Sequence, residues 1–400
     1  MTAKKYWDDP FATTLETRGA SAASFDGKPS VVLAETIFYP EGGGQLGDTG
    51  TLHVAGAAVH VTDTQIDGDG TIHHIVEHAV SCSDGDTVTA TIDVGRRRDH
   101  MAQHTAQHML SRALLDVARA PTVSARLGAS ACTLDVDRAA IADAELHRVE
   151  DLVNDVIRSD VSVRALFPTA AELAAMDLRR APKVDAGVRI IDVEGFDLTP
   201  CGGTHCTRTG QIGLLRIAGV ERYKGKLRVG FHAAGRALAD ARAKEDALLA
   251  LAKELTCGPL DVGAAVAKLQ ADLKQRGDAL SSARGELLEV LAKDILAQRP
   301  PSPSGTTVIH VPRATDDVAM LRSLAGKLAS ARPDVVAVCS APDAEGALLV
   351  VVQRGVGASF DCGAWLKVLA QRTGGRGGGR PERAEGRLPS EADLLAGLVI

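Results

Sequence analysis

Two short motifs, far apart in the sequence, constrain the fold of this chain more than any other feature. HTAQH begins at His104 and ends at His108, and CGGTHC contains Cys201 and His205. Each motif offers two potential metal ligands that lie four positions apart in the sequence. A metal ion bound by both motifs requires the two segments to meet in space, so the fold must place one against the other.

The residues around the first motif indicate a helix. Residues 99–118 contain neither glycine nor proline, and apolar side chains recur near the 3.6-residue helical period. On such a helix, a separation of four places the imidazoles of His104 and His108 on one face, about a turn apart. The second motif contains two glycines, which favour a turn that can direct Cys201 and His205 inward.

The combined ligand set of three imidazoles and one thiolate suits tetrahedral zinc. Structural zinc usually has four protein ligands that are rich in cysteine, whereas catalytic zinc keeps one position open, so a histidine-rich set favours catalysis. No glutamate stands between the two histidines of the first motif, so the metalloprotease arrangement is missing. Without such a base, an activated ester is favoured over a peptide as the substrate.

The order of strands and helices indicates the α+β fold class. Residues 1–95 show short strands and glycine-rich turns, which predict a β-barrel-like N-terminal domain. Residues 96–234 mix helices and strands around both motifs and are predicted to form an α+β zinc domain. Residues 235–300 indicate a helical hairpin or coiled-coil segment, and residues 301–400 a small α/β domain.

Composition and charge exclude some classes of protein. The sequence has no run of about 18 apolar residues and no apolar N-terminal run, so neither a membrane span nor a signal peptide is expected. Seven cysteines, an odd number, are typical of a reducing cytosol. The formal net charge is −6, yet basic clusters occur at 96–98, 178–183 and 221–228. Each cluster is either solvated surface or a local patch for nucleic acid.

Two features of the C-terminal half each have two interpretations. Leucines recur on one face of the helical segment and indicate packing or dimerisation; they are Leu269, Leu273, Leu280, Leu287 and Leu291. RTGGRGGGRPERAEGR, at 372–387, is predicted to be a flexible cationic loop, which either suits nucleic-acid phosphates or is merely structural.

Several motifs together resemble a known family. HTAQH and CGGTHC, preceded by FYPEGGGQLGDTG, look like the editing domain of alanyl-tRNA synthetase and of its free-standing relatives, the alanyl-tRNA editing proteins. GGRGGGRPERAEGR resembles the glycine-rich signature of the DHH-associated domain that ends the synthetase. The resemblance covers essentially the whole chain, and the long free-standing editing proteins join both parts. No aminoacylation module precedes the editing region, so we expect this chain not to charge tRNA by itself.

The resemblance implies a cytoplasmic trans-editing hydrolase, an aminoacyl-tRNA deacylase that depends on zinc. Its expected substrate is tRNA(Ala) mischarged with serine, with glycine as a second candidate. An alanine-sized pocket rejects such small differences only modestly, so a second, hydrolytic site is needed. That site must hydrogen-bond the serine hydroxyl, and alanine is spared because it would leave the same groups unpaired. Water would attack the ester carbonyl, and backbone amides of a glycine-rich turn would stabilise the oxyanion.

The resemblance also assigns roles to residues. It gives four zinc ligands, one of them exchangeable: His104, His108, Cys201 and His205. Gln45 and the glycines 42–44 match a loop near the active site, although a simple tight turn explains the glycines equally well. Thr105 is a candidate for substrate contact, Ser124 a candidate for the serine hydroxyl, and Cys206 is expected to be a buried thiol. For the C-terminal half, the resemblance implies a helical dimerisation segment at 235–300, a homodimer and a tRNA-binding domain at 301–400.

Two rival functions remain at this stage. A DHH-type phosphodiesterase shares a related C-terminal domain, but RDHM at 98–101 is not the Asp-His-His motif that such enzymes need. A non-catalytic tRNA-binding protein with a structural zinc would bind both metal and tRNA without deacylation. An assay of ester hydrolysis separates this second rival from the editing function.

Overall fold

The computed structural model divides into two units, Met1–Ala250 and Leu251–Ile400. Its mixture of helices and several sheets confirms the predicted α+β content. None of the helices it describes combines the length and apolar character that crossing a bilayer requires. The structure describes the whole chain apart from residues 1, 55, 84, 183, 185, 186, 304, 390–392 and 395–400.

The first unit begins with nine strands. They are β1 (Ala3–Lys4), β2 (Thr14–Thr17), β3 (Ser21–Phe25), β4 (Lys28–Val32), β5 (Glu35–Thr36), β6 (Gly50–Val54), β7 (Ala57–Ile66), β8 (Ile72–Val76) and β9 (Val88–Ile92). Strands β1 and β5 pair in parallel, and the others form a seven-stranded antiparallel sheet in the order β2-β9-β6-β7-β8-β4-β3. Alternate side chains of these strands, such as Leu52 and Val54, are buried in one core, as the two-residue period of a strand requires. This sheet occupies the region for which a barrel-like domain was predicted.

The first motif lies in a long helix that follows this sheet. Helix α1 (Val94–Ala118) begins five residues before the predicted start, because the side chain of Asp93 accepts a hydrogen bond from the backbone N–H of Arg96 and caps it. The helix ends at Arg119, which has left-handed backbone geometry. Most of α1 is buried, so its histidines face protein rather than solvent.

The rest of the first unit surrounds α1 with two small sheets. Its elements are β10 (Thr122–Leu127), β11 (Cys132–Val136), α2 (Asp143–Arg158), β12 (Val163–Leu166), α3 (Ala170–Ala175), β13 (Ile190–Val193), β14 (Asp197–Pro200), β15 (Leu215–Tyr223), β16 (Lys226–Ala233) and α4 (Ala234–Glu254). Antiparallel strands pair in the orders β10-β11-β16-β15 and β12-β13-β14. Both sheets and α2 share one hydrophobic core with α1. Strand β14 ends at Pro200, so it delivers CGGTHC directly to that core.

The second unit is a mixed five-stranded sheet with helices. Its elements are α5 (Val262–Ala297), β17 (Thr307–Pro312), α6 (Val318–Ala331), β18 (Val335–Pro342), β19 (Leu348–Arg354), α7 (Cys362–Thr373), β20 (Arg376–Gly379) and β21 (Arg383–Leu388). The strand order is β17-β18-β19-β21-β20, and only β17 and β18 pair in parallel. The end of α5 and all of α6 pack in one core, and α7 packs in another. Leu291, which was predicted to share a stripe with the other leucines of α5, instead packs against the first of these cores.

The glycine- and arginine-rich segment at 372–387 is not a loop, so that prediction was wrong. Most of it forms the antiparallel hairpin of β20 and β21. Its glycines allow close approach: a Cβ on Gly379 would lie 2.3 Å from the carbonyl oxygen of Arg383, and one on Gly363 of α7 would lie 2.7 Å from the carbonyl oxygen of Gly379. The missing side chains therefore let α7 pack directly on the backbone of the hairpin.

Two neighbouring glycines of β20 test this interpretation. Gly379→Ala should lower the free energy of unfolding of the second unit by about 1–3 kcal/mol, because the new methyl group overlaps the paired strand. Gly378→Ala is the matched control, since its Cβ would meet nothing within 4 Å. Calorimetric unfolding of the full chain measures both variants. Equal stability of the two variants would favour the loose loop over the packed hairpin.

Candidate metal centre

The structure brings the four predicted ligands together. The ligand atoms of His104, His108, Cys201 and His205 all lie within 4.8 Å of one another. Cys201 Sγ is 3.3 Å from His104 Nε2 and 3.4 Å from His205 Nε2. The three imidazole rings have centroids 4.3 to 5.1 Å apart. Two ligands come from one face of α1, and two from the turn that follows β14.

The turn that carries Cys201 is held by its backbone carbonyls. Arg189 Nη1 donates to the carbonyl oxygens of Cys201 and Gly203 at 2.9 and 2.8 Å, and Trp7 Nε1 donates to that of Gly202 at 2.8 Å. A Cβ on Gly203 would lie 2.3 Å from His104 Cε1, so only glycine fits there. Three successive carbonyls are thus bonded on one side of the turn, and His104 packs on the other.

Gln45 sets the orientation of His104. Its Nε2 donates to Thr204 Oγ1 at 2.8 Å, and its Oε1 accepts from the Thr204 backbone N–H at 3.3 Å. The same oxygen lies 2.7 Å from His104 Nδ1, so Nδ1 must carry the proton. The electron pair of His104 is then on Nε2, which faces Cys201. Gln45 is fully buried and acts on the cluster through His104.

Thr105 sets the orientation of His205 in the same way. Its hydroxyl donates to the carbonyl oxygen of Met101 at 2.8 Å, so its oxygen can only accept from the other neighbours. Those neighbours are the Cys206 backbone N–H at 3.0 Å and His205 Nδ1 at 3.2 Å. His205 Nε2 is thereby left with its electron pair toward Cys201. Thr105, a predicted contact for substrate, is fully buried behind His205, and Cys206 is buried beside it.

His108 is held less tightly than the other two histidines. Its Nδ1 lies 3.8 Å from Asp197 Oδ2, which is too far for a hydrogen bond, and it has no hydrogen-bond partner within the described part of the chain. Asp197 itself is engaged, since it pairs with Arg179 at 2.8 Å and accepts from Thr199 at 2.7 Å. The carboxylate nonetheless lies behind His108, where it would stabilise a proton on Nδ1.

Burial and charge prepare the four groups as metal donors. Burial lowers the pKa of His104 to about 3 and that of His205 to about 4, and it lowers the pKa of His108 well below its usual value. All three imidazoles are therefore neutral at neutral pH. Burial raises the pKa of the Cys201 thiol, but surrounding groups, among them the Gly203 N–H and the Arg189 guanidinium, outweigh burial, so the pKa of this thiol is lowered overall. Neutral imidazoles and a thiolate are the donors that zinc prefers, so the residues fit that ion.

An open cleft of about 750 Å³ leads to the cluster. His104 and Cys201 line it, whereas His108 and His205 do not, so the cluster faces the cleft through the first pair. Ser124 also lines the cleft; it is exposed, and its hydroxyl donates to Asp135 Oδ2 at 2.8 Å. The structure therefore separates Ser124, on the cleft wall, from Gln45 and Thr105, which are buried behind the ligands.

The glycine-rich loop is both a tight turn and part of the cleft. Gly42 and Gln45 exchange two backbone hydrogen bonds of 3.0 Å, which close the turn. Gly44 has φ +90°, and a Cβ there would lie 2.7 Å from the carbonyl oxygen of Ala125. Glycines 42–44 all line the cleft. The two interpretations of this loop are thus compatible.

Sequence reasoning missed the residues that support the site. Arg97, from a cluster that could have been solvated surface, is buried and pairs with the buried Asp48. Arg189 and Trp7, which hold the metal-binding turn, belong to no motif. No spacing rule could identify them, because each reaches the site through a tertiary contact.

Gln45 provides a direct test of ligand orientation. Gln45→Leu should weaken zinc binding about 10–100-fold, because His104 loses the hydrogen bond that fixes its tautomer. Competition with a chromogenic chelator measures the zinc affinity. Gln65→Leu is the control, since the amide of Gln65 bonds only Glu41 and Asp63 in the described structure. An unchanged affinity in Gln45→Leu would contradict this role.

Three family models match separate parts of the chain. The model for class II (A) tRNA synthetases matches residues 13–96. The second additional domain of threonyl and alanyl tRNA synthetases matches residues 188–229, which include the CGGTHC turn. The DHHA1 domain matches residues 305–398.

Individual relatives extend the similarity along the chain. The alanine–tRNA ligase of Natronomonas pharaonis is 31% identical over 98% of this chain and 42% of its own length. That of Halobacterium salinarum is 33% identical over 81% of this chain and 36% of its own length. The chain thus spans less than half the length of these relatives. A solved structure, the C-Ala domain from Aquifex aeolicus alanyl-tRNA synthetase, is 16% identical over 23% of this chain and 85% of that chain, with a TM-score of 0.22. By its matched domains and relatives, the chain belongs to the alanyl-tRNA synthetase-like proteins.

Proposed function

We propose that this protein is a cytoplasmic trans-editing deacylase that hydrolyses the ester of Ser-tRNA(Ala), and of Gly-tRNA(Ala). The observation that carries this proposal is the convergence of three neutral imidazoles and a thiol of lowered pKa in one cluster, of which His104 and Cys201 line an open cleft. Similarity to alanine–tRNA ligases supports alanine tRNA as the partner.

The four ligands would hold zinc as the cofactor of the reaction. Bound there, zinc would supply a Lewis acid that stabilises negative charge developing on an ester oxygen. The protein's own residues do the positioning. Gln45 and Thr105 fix the two histidine tautomers, and Arg189 and Trp7 fix the turn. His108, whose Nδ1 has no hydrogen bond in the described structure, is the ligand best able to exchange.

The cleft wall provides candidates for substrate recognition. The Ser124 hydroxyl donates to Asp135, so its oxygen remains free to accept a hydrogen bond from the serine hydroxyl of the substrate. Ser124 is exposed, so water can hydrogen-bond its hydroxyl when the substrate carries alanine instead of serine. The contribution of Ser124 to discrimination between the two esters should therefore be small. The backbone N–H groups of Gly43 and Gly44 are the candidates for stabilising the oxyanion, since that of Gly42 already donates to the carbonyl oxygen of Gln45.

Deacylation assays test the function and its rival together. Wild-type protein with zinc should hydrolyse Ser-tRNA(Ala) and Gly-tRNA(Ala) but spare Ala-tRNA(Ala), and a chelator should abolish the reaction. His104→Ala and Cys201→Ala should lose zinc and at least about 100-fold of activity, since each removes a ligand. His147→Ala and Cys82→Ala remove the same side-chain types outside the cluster and should remain active. Zinc and tRNA binding without hydrolysis would favour the non-catalytic rival.

The second unit is proposed to bind tRNA and to form a homodimer. On the glycine-rich hairpin and at the end of α7, Arg372, Arg376 and Arg380 carry no ion pair within the described part of the chain, whereas Arg387 pairs with Asp343 and Glu345. The unpaired arginines are therefore the ones available to tRNA phosphates. The match to the DHHA1 domain covers this hairpin.

An exposed apolar stripe on α5 supports the homodimer. Successive residues of the stripe are three, four or seven positions apart in the sequence. These are the separations of the a and d positions in a coiled-coil heptad. The residues are Val266, Leu269, Leu273, Leu280, Leu287 and Val290, each between 39% and 71% exposed. A helix of 36 residues with such a seam can pair with the same helix of a second copy.

One charge substitution tests this seam. Leu273→Glu should dissociate the dimer at micromolar concentration, because it places a carboxylate in the apolar interface. Gln275→Glu adds the same charge two residues away, off the a and d positions, and should leave the dimer intact. Sedimentation equilibrium measures the mass of each. Identical masses for the two variants would refute an α5 interface.

A further inference from the structure

Aromatic side chains gather at the mouth of the metal cleft. Aromatic residues make up only 3% of the sequence, yet Tyr6, Trp7 and Tyr39 all line this cleft. Phe167 extends the group, with its ring centroid 6.1 Å from that of Trp7. Tyr6 and Tyr39 pack with Ile72 in a small hydrophobic cluster, against which Trp7 also packs. Core packing accounts for these rings and leaves Phe167 as the ring to explain.

Phe167 is the unusual member of this group. It is 59% exposed, whereas Tyr6 and Tyr39 are buried at 2% and 5% exposure. An exposed phenyl ring costs hydration free energy unless a ligand covers it. Its neighbour Trp7 is fixed, because the indole N–H donates to the carbonyl oxygen of Gly202. The Trp7 side chain therefore contacts both the metal-binding turn and Phe167.

The charge around these rings is positive. Lys4, Arg180 and Arg189 line the cleft, and Glu41 is the carboxylate among its described lining residues. Lys4 Nζ lies 4.6 Å from the centroid of the Trp7 ring. A positive groove beside an exposed phenyl ring, in a protein of net charge −6, is a combination that suits single-stranded nucleic acid.

We propose that Phe167, supported by Trp7, is a stacking platform for the terminal base of a single-stranded RNA 3′ end, with Lys4 and Arg180 binding the adjacent phosphates. This inference rests on the proposed function, because it identifies where that substrate's 3′-terminal adenine lies. Trp7 contacts Phe167 through its ring and Gly202, the residue after Cys201, through its indole N–H, so a base stacked on Phe167 would direct its nucleoside toward the metal cluster. An apolar peptide is the competing ligand, since Val123 and Val184 are also exposed at the cleft.

RNA binding can be measured without any hydrolysis. The probe is a short single-stranded RNA that ends in CCA, compared with the same RNA without the final adenosine. Trp365 lies in the second unit, so a Trp365→Phe background leaves Trp7 as the tryptophan that reports stacking. The CCA-ended RNA should quench Trp7 fluorescence, and removal of the adenosine should weaken binding roughly tenfold.

Substitutions of Phe167 decide whether it is the platform. Phe167→Ala should lower the affinity for the CCA-ended RNA roughly tenfold and leave the affinity for the shorter RNA unchanged. Phe167→Tyr should retain full affinity for both RNAs. Phe25→Ala is the control, because Phe25 lies in the same unit and its ring packs beside His73 rather than Trp7. Zinc content and unfolding temperature should be unchanged in Phe167→Ala, as the ring is mostly exposed. Equal losses for both RNAs, no loss for either, or no binding by the parent protein would overturn the proposal.

The two proposals can fail separately. If the parent protein deacylates Ser-tRNA(Ala) and Phe167→Ala changes neither KM nor RNA affinity, the platform is refuted and the editing function stands. If the parent protein never deacylates but its RNA affinity depends on Phe167 and the terminal adenosine, the platform stands without the editing function. Where both hold, Phe167→Ala should raise KM for Ser-tRNA(Ala) roughly tenfold.

Discussion

The buried ion pair between Arg97 and Asp48 is the interaction on which the arrangement of the site depends. Both side chains are 1% exposed, so each would carry a large desolvation penalty if it lacked its partner. Arg97 also donates to the carbonyl oxygens of Pro10 and Ile37, and Asp48 accepts from the Tyr39 backbone N–H. Because Arg97 lies two turns before His104, the pair joins the helix of the histidines to the loop that carries Gln45.

In the metal cluster, the motifs identify the ligands, and tertiary contacts determine how the ligand side chains are oriented. Spacing along α1 and composition of the CGGTHC turn were enough to propose which side chains meet. Which nitrogen of each histidine faces the others depends on Gln45 and Thr105, and these act through hydrogen bonds that no spacing encodes. Thr105 was a candidate substrate contact; in the structure its buried hydroxyl lies against His205, a contact that the sequence pattern did not indicate.

The fold was predictable to a similar depth. Periodicity indicated α1 and the helical segment at 235–300. The predicted start of α1 was too late because it took no account of the cap that Asp93 provides. The glycine-rich hairpin escaped prediction because glycine has low strand propensity and is abundant in loops. Here glycine is used for its small size, as the contacts of Gly363 and Gly379 demonstrate.

The hydrogen bond from Trp7 to Gly202 makes the beginning of the described chain a component of the site. Lys4, Tyr6 and Trp7 line the cleft, so whatever polypeptide is joined ahead of them emerges beside its mouth. A purification tag fused at that end would lie close enough to obstruct the opening, and a polyhistidine tag would offer its own imidazoles to the metal. Recombinant protein intended for zinc measurements is better tagged at the other terminus.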